Sequence, residues 1–168
     1  MTKKAIFMAG LMLLLVAGFI PAQEKSWENG DFALRWKIEG KNLIMTLTAK
    51  TTGWISVGFD PSSIMRDADI IILAVDASGK VLAEDHYGTS PTGHKKDTDI
   101  GGQENVTVIS GEEKNGSTTV TFSIPLDSGD SKDKVLFAGK KVKVILASST
   151  KDGFTSKHNK KGKVEITL

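Results

Sequence analysis

Three histidines, one loop methionine and one acidic run are the parts of this chain whose residue types could do chemistry. His86 stands in Glu84-Asp85-His86-Tyr87 at the end of an apolar run and reads as an ordinary hydrogen-bonded histidine. His94, directly ahead of Lys95 and Lys96, reads as solvated, and His158 lies in a basic loop, residues 154–162, that leads into the last apolar run. No two of the three stand at metal-ligand spacing on one strand. Hydrolysis finds no G-x-S-x-G elbow to support it. Asp97-Thr98-Asp99 begins like a calcium loop, but the pattern puts Gly101 at its fifth position and Val108 at its twelfth, where an acid is needed. The chain has no cysteine, which excludes disulfides, thiolate metal sites and covalent C-x-x-C-H haem attachment. Met65 is the remaining candidate. A loop methionine either packs its thioether into the nearest gap or offers it as a soft ligand.

The elements that must position these groups read as strands. Around Met65, residues 54–59 are rich in aromatic and β-branched side chains and residues 70–75 form an apolar run of strand length. Asp60, Pro61, Ser62 and Ser63 break the ladder between them, because proline lacks a donor and short polar side chains bond back to their own backbone. Phe32, Leu34, Trp36 and Ile38 alternate with polar or small neighbours, and Glu39-Gly40-Lys41-Asn42 turns the chain into Leu43, Met45, Leu47 and Ala49, which predicts a hairpin. Asp76-Ala77-Ser78-Gly79 turns into a run from Val81 toward Tyr87. From Gly88 to Gly102 hardly an apolar side chain occurs, and the stretch reads as one long loop. Runs at 106–109 and 118–124 form a second predicted hairpin, and further strands are predicted at 142–147 and 163–168. About nine strands, Gly-rich turns and no helical periodicity predict an all-β fold, an antiparallel immunoglobulin-like β-sandwich, with a closed barrel as the alternative.

Residues 1–22 read as a cleaved secretory signal. Lys3 and Lys4 precede a charge-free apolar run over residues 5–20, and Pro21-Ala22 supplies a small residue before Gln23. The predicted mature domain, residues 23–168, is one domain. The full chain holds 22 lysines and arginines against 20 acids, and setting aside two signal lysines balances the charge. That balance argues against a nucleic-acid binder or an anionic-membrane binder. The expectation is an exported protein, periplasmic or extracellular, free of the membrane once the signal is removed.

Gly53-Trp54-Ile55-Ser56-Val57-Gly58-Phe59, then Met65-Arg66-Asp67-Ala68-Asp69 entering an apolar strand, then Asp85-His86-Tyr87, and finally His158-Asn159-Lys160-Lys161-Gly162 before the closing strand, together resemble the DOMON family. The resemblance spans roughly residues 27–168. It implies a β-sandwich that binds either haem b or a sugar. The haem-binding members resemble the cytochrome domain of cellobiose dehydrogenase, and the positions of their axial ligands match Met65 and His158. A lysine ligand also occurs in the family, which keeps Lys157, Lys160 and Lys161 open as replacements for His158. With haem in place, Trp54, Phe59, Ile64, Tyr87 and Phe154 become the expected slot wall, and Lys157, Lys160 or Lys161 the expected partner of a propionate. A thioether facing an imidazole favours ferrous iron and leaves no open position for oxygen, so the resemblance implies single-electron transfer with a redox partner protein rather than catalysis. Two other readings remain: a haem-free module in which Trp27 or Trp36 stacks on a sugar, and an immunoglobulin-like adhesion domain.

Overall fold

Period-two patterning turns into strands along nearly the whole chain. The computed structural model describes residues 23–168; the expected signal over residues 1–22 lies outside the described residues. Eleven strands follow in order: β1 (Lys25–Asn29), β2 (Phe32–Glu39), β3 (Asn42–Ala49), β4 (Ile55–Phe59), β5 (Asp69–Val75), β6 (Val81–Ser90), β7 (Gly93–Lys96), β8 (Thr107–Lys114), β9 (Ser117–Pro125), β10 (Lys141–Ser148) and β11 (Lys160–Thr167). A single 3₁₀ turn, Asp97–Ile100, follows β7. All pairings are antiparallel, in a five-stranded sheet ordered β1-β2-β3-β9-β8 and a six-stranded sheet ordered β11-β10-β4-β5-β6-β7. Among the described residues no helix is long and apolar enough to cross a membrane.

The two sheets stack as a sandwich. Leu34, Trp36, Leu43, Met45, Leu47, Val120 and Phe122 from the first sheet meet Ile55, Val57, Phe59, Ile71, Leu73, Val144 and Leu146 from the second in one apolar core. The outer face of the first sheet is polar, with Thr46 and Thr121 (2.8 Å) and Thr48 and Thr119 (3.0 Å) pairing their hydroxyls across β3 and β9. That is the ordinary condition of an antiparallel sheet, with one face packed and the other wet. The second sheet departs from it. Every residue of β4 and β5 is buried, on both faces.

Two strands exceed the nine expected. β1 carries one apolar residue, Trp27, which faces Leu34 and packs on the core, so its signal is lost among Lys25, Ser26, Glu28 and Asn29. β7 is Gly-His-Lys-Lys and pairs with β6 without an apolar residue of its own. The stretch from Gly88 to Gly102 is therefore not one long loop: it contains the end of β6, the turn, β7 and the 3₁₀ turn.

Candidate functional site

Residues directly opposite in an antiparallel pair point to the same side of the sheet, so the registers of the second sheet define its outer face. One row runs Lys163, Ile145, Gly58, Ile70, His86 and Lys96, and the next runs Lys161, Ala147, Ser56, Ile72 and Glu84. The middle of this face is apolar and low in relief. Gly58 lets the flanking side chains close over it, since a Cβ there would stand 2.8 Å from Ile145 Cγ1 and 3.1 Å from Ile70 Cγ1. Trp54, Ala68, Ile70, Ile72 and Ala74 form a second buried apolar cluster here, against which Met65, Ile145, Ala147 and Phe154 pack. This cluster is separate from the core between the sheets.

Two loops lean on that face. The first, residues 60–68, carries Met65 and is clamped onto β6. The amide of Asp67 donates to the Gly88 carbonyl (2.7 Å), the amide of Gly88 donates to the Ala68 carbonyl (2.8 Å), and the Met65 amide donates to Pro91 O (3.4 Å). Gly88 is required by the contact, because a Cβ would lie 1.7 Å from the Met65 carbonyl oxygen. Ser62 and Tyr87 both donate hydrogen bonds to the Asp67 carboxylate, and these two bonds hold its pKa below the usual carboxylate value. Ile64, just before Met65, has φ +56° and is exposed. A β-branched residue in the left-handed region is a strained conformation, costing about 1–3 kcal/mol.

The second loop, residues 149–159, carries Phe154 and His158. Its base is fixed to the segment leading into β4: the Ser149 amide donates to Trp54 O (2.9 Å), the Trp54 amide donates to Lys151 O (3.0 Å), and Thr51 Oγ1 donates to Ser149 O (2.5 Å). Gly53 fills the same role here that Gly88 fills under Met65, since a Cβ on it would stand 2.4 Å from the Lys151 nitrogen. Asn159, next to His158, closes the loop, accepting from the Thr150 amide through its side chain (2.9 Å) and donating its own amide to Ser148 O (2.8 Å).

Two of the histidines, His86 and His94, meet at the edge of the same face. His86 Nε2 pairs with Glu84 (2.9 Å), and His86 Nδ1 and His94 Nδ1 lie 3.0 Å apart with their rings edge to face. His94 is half-buried rather than solvated, which corrects the reading from sequence. Burial, then the charges of His86 and His158, push its pKa below the ordinary histidine value. His158 itself is half-buried.

The residues expected around a cofactor divide by strand parity. Trp54, Met65 and Phe154 come together in the outer cluster. Phe59 does not join them. It is fully buried between the sheets, because Ile55, Val57 and Phe59 share the inward side of β4. Tyr87 also points away from the outer face, sharing its side with Asp69, and its hydroxyl serves the Met65 loop through Asp67. Lys160 shares the inward side of β11 and reaches across to Asp31 (2.7 Å); Lys161 and Lys163 are the lysines whose positions fall on the outer rows. Missed from sequence were Ile70, Ile72, Ala68, Ile145 and His94. The available signal was the unbroken run Ile70-Ile71-Ile72-Leu73-Ala74-Val75, since a strand with one wet face alternates.

Trp54 Nε1 is buried without a hydrogen-bond partner. The apolar surface thus has a stranded donor inside it, a thioether on one bordering loop and an imidazole on the other. The fold and this face define an all-β sandwich module with a covered apolar surface outside its core. The chain belongs to the DOMON family: residues 28–149 match the DOMON domain. It is 30% identical over 118 residues to DBH-like monooxygenase protein 1 of Mus musculus, covering 70% of this chain, and 28% identical over 123 residues to the Homo sapiens protein of that name, covering 73%. The matched segments are 18% and 19% of those relatives, so the chain spans less than a fifth of their length. In fold it is similar to the cytochrome domain of Myriococcum thermophilum cellobiose dehydrogenase, with a TM-score of 0.61 at 10% identity, covering 86% of this chain and 82% of that one.

Proposed function

We propose that the outer face of the six-stranded sheet holds haem b between Met65 and His158, and that the protein is an exported electron-transfer module rather than a catalyst. The observation that carries this reading is the second apolar cluster, outside the sandwich core, on which both the Met65 and the Phe154–His158 loops close. When bound, haem supplies one-electron exchange at an iron whose potential is raised by the thioether. Trp54, Ile70, Ile72, Ile145 and Phe154 keep water from the site. The Nε1–H of Trp54 is free to donate to a polar group brought into it. Lys161 and Lys163, at the ends of the outer rows, carry charge complementary to propionates; of the three lysines expected from sequence, Lys157, Lys160 and Lys161, only Lys161 stands on these rows. The electrons pass to or from a redox partner protein. Sugar stacking finds less support: Trp36 is buried, with Nε1 donating to Thr167 O (3.2 Å), and Trp27 packs on the core.

Haem reconstitution tests the reading. Wild type is expected to take up haem and show the narrow bands of low-spin six-coordinate iron on reduction. Met65→His keeps the low-spin spectrum and lowers the potential, while His158→Ala weakens uptake. His86→Ala leaves the spectrum unchanged. No uptake by wild type, or unaltered low-spin spectra in both Met65→Ala and His158→Ala, would overturn the proposal.

A further inference from the structure

At the opposite side of β5 and β6, five aspartates converge. Asp69 and Asp85 point inward from neighbouring strands, Asp97 comes from the 3₁₀ turn after β7, and Asp130 and Asp133 come from the loop between β9 and β10. Carboxylate oxygens of Asp69, Asp85 and Asp133 lie within 4.8 Å of one another, and so do those of Asp97, Asp130 and Asp133, so that Asp133 belongs to both groups. Such a spacing is about twice a calcium–oxygen bond of roughly 2.4 Å. Asp69, Asp85 and Asp97 are 3%, 2% and 1% exposed.

An acidic cluster alone need not bind anything, but this one has oxygens with nothing to bond. Both carboxylate oxygens of Asp97, Oδ1 of Asp85, Oδ1 of Asp133 and Oδ1 of Asn105 are buried without a partner. Backbone amides hold other oxygens of the group: Lys134 N donates to Asp69 (3.1 Å), Asn105 N to Asp85 (3.0 Å), and Lys132 N and Gln103 N to Asp130. Gly102 is packed against the same group, since a Cβ would come within 2.9 Å of Asp97 Cβ and 3.0 Å of Asp130 Oδ2. No lysine or arginine among the described residues forms an ion pair with any of the five. Lys132 instead places its ammonium over the Tyr87 ring, 5.4 Å from the centroid. Burial, reinforced by the neighbouring carboxylates, pushes Asp69 up to about 8, Asp85 to about 9 and Asp97 to about 7.

We infer that this cluster is a calcium site in which Asp133 joins ligands from β5 and β6 to ligands from the 3₁₀ turn and the β9–β10 loop. The donor set is all oxygen, which suits a hard cation, and the unpartnered oxygens of Asp85, Asp97 and Asp133 are free to serve among the six to eight ligands calcium takes. Magnesium demands a tighter octahedron and keeps its waters, which a buried carboxylate cluster does not offer. The site does not depend on haem.

The test is calorimetry on chelator-stripped protein near neutral pH, with calcium chloride as the probe, magnesium chloride beside it and melting temperature as the second readout. Calcium is expected to bind saturably and to raise the melting temperature by about 5–10 °C at a hundredfold excess over Kd. Asp133→Asn abolishes the heat and the shift, yet its calcium-free form melts no lower than calcium-free wild type, because one buried like charge is gone. Asp97→Asn serves as the second variant, and exposed Asp99→Asn binds as wild type does. No saturable calcium heat at millimolar concentration, undiminished binding by both Asp133→Asn and Asp97→Asn, or equal binding of magnesium would overturn the assignment.

Discussion

A methyl group added at Gly88 probes the clamp on the Met65 loop. The new Cβ would stand 1.7 Å from the Met65 carbonyl oxygen, 2.7 Å from its carbonyl carbon and 3.1 Å from the Ala68 nitrogen. A carbon–oxygen contact relaxes at roughly 3.3 Å, so the Met65 peptide must retreat by about 1.6 Å. Neither atom is the end of a flexible side chain, so the displacement passes to the backbone. It strains the two hydrogen bonds that join Gly88 to Asp67 and Ala68, each worth about 0.5–1.5 kcal/mol. With an overpacking cost of about 1–3 kcal/mol, Gly88→Ala is expected to destabilise the protein by about 2–6 kcal/mol. Gly153→Ala is the control: it lies in the His158 loop, its new Cβ meets nothing closer than Ser156 Oγ at 3.8 Å, and its effect stays within about 0.5 kcal/mol. Urea unfolding of both variants measures the difference, and haem titration shows whether Met65 has moved. Equal midpoints for Gly88→Ala and Gly153→Ala would refute the clamp.

Two further outcomes follow from buried groups. Trp54→Phe is expected to change the stability of the haem-free protein by less than about 1 kcal/mol, since Nε1–H has no partner to lose, while haem affinity falls; Trp54→Ala, which empties the cluster, costs about 3–5 kcal/mol in the same unfolding assay. The calcium-free protein should lose stability as pH rises. Asp69, Asp85 and Asp97 have folded-state pKa values raised from 3.8 to about 8, 9 and 7, so their contribution is complete below pH 4 or so and is lost as pH climbs through the range 7–9. Melting temperatures across that range check the sign, and saturating calcium should flatten the decline.

The strands were legible because period two survives in Phe32–Glu39, Asn42–Ala49 and Ser117–Pro125, where one face is packed and the other wet. Where that contrast disappears, legibility ends. β7 has no apolar side to display, and β1 has a single tryptophan. The slot wall was misjudged for a related reason. Nearness to the ligands in sequence grouped Trp54 with Phe59 and Tyr87, but side chains on a strand alternate, so Phe59 falls on the face opposite Trp54 and Tyr87 points inward beside Asp69. The same parity removes Lys160 and brings forward Lys161 and Lys163. The acidic cluster was hidden by distance along the chain: Asp97 alone looked like a failed calcium loop, and its companions Asp69, Asp85, Asp130 and Asp133 arrive from two other strands and a remote loop.

Both proposed sites use the same two strands, on opposite sides. In β5, Ile70, Ile72 and Ala74 face outward to the apolar cluster while Asp69 faces the carboxylates; in β6, His86 and Gly88 face outward while Asp85 faces inward. Asp69 directly follows Ala68, whose carbonyl accepts the Gly88 amide, and Asp85 directly precedes His86, which touches His94. A cation joining Asp69 to Asp85 would therefore brace β5 against β6 immediately beneath the clamp that positions Met65. Without it, Asp69 and Asp85 avoid repulsion by holding protons, and once pH passes about 8–9 like charges on neighbouring strands push apart at that place. The strain at Ile64 and the repulsion below it fall on the same few residues, so the register of β5 on β6 is the structural element on which the Met65 loop depends.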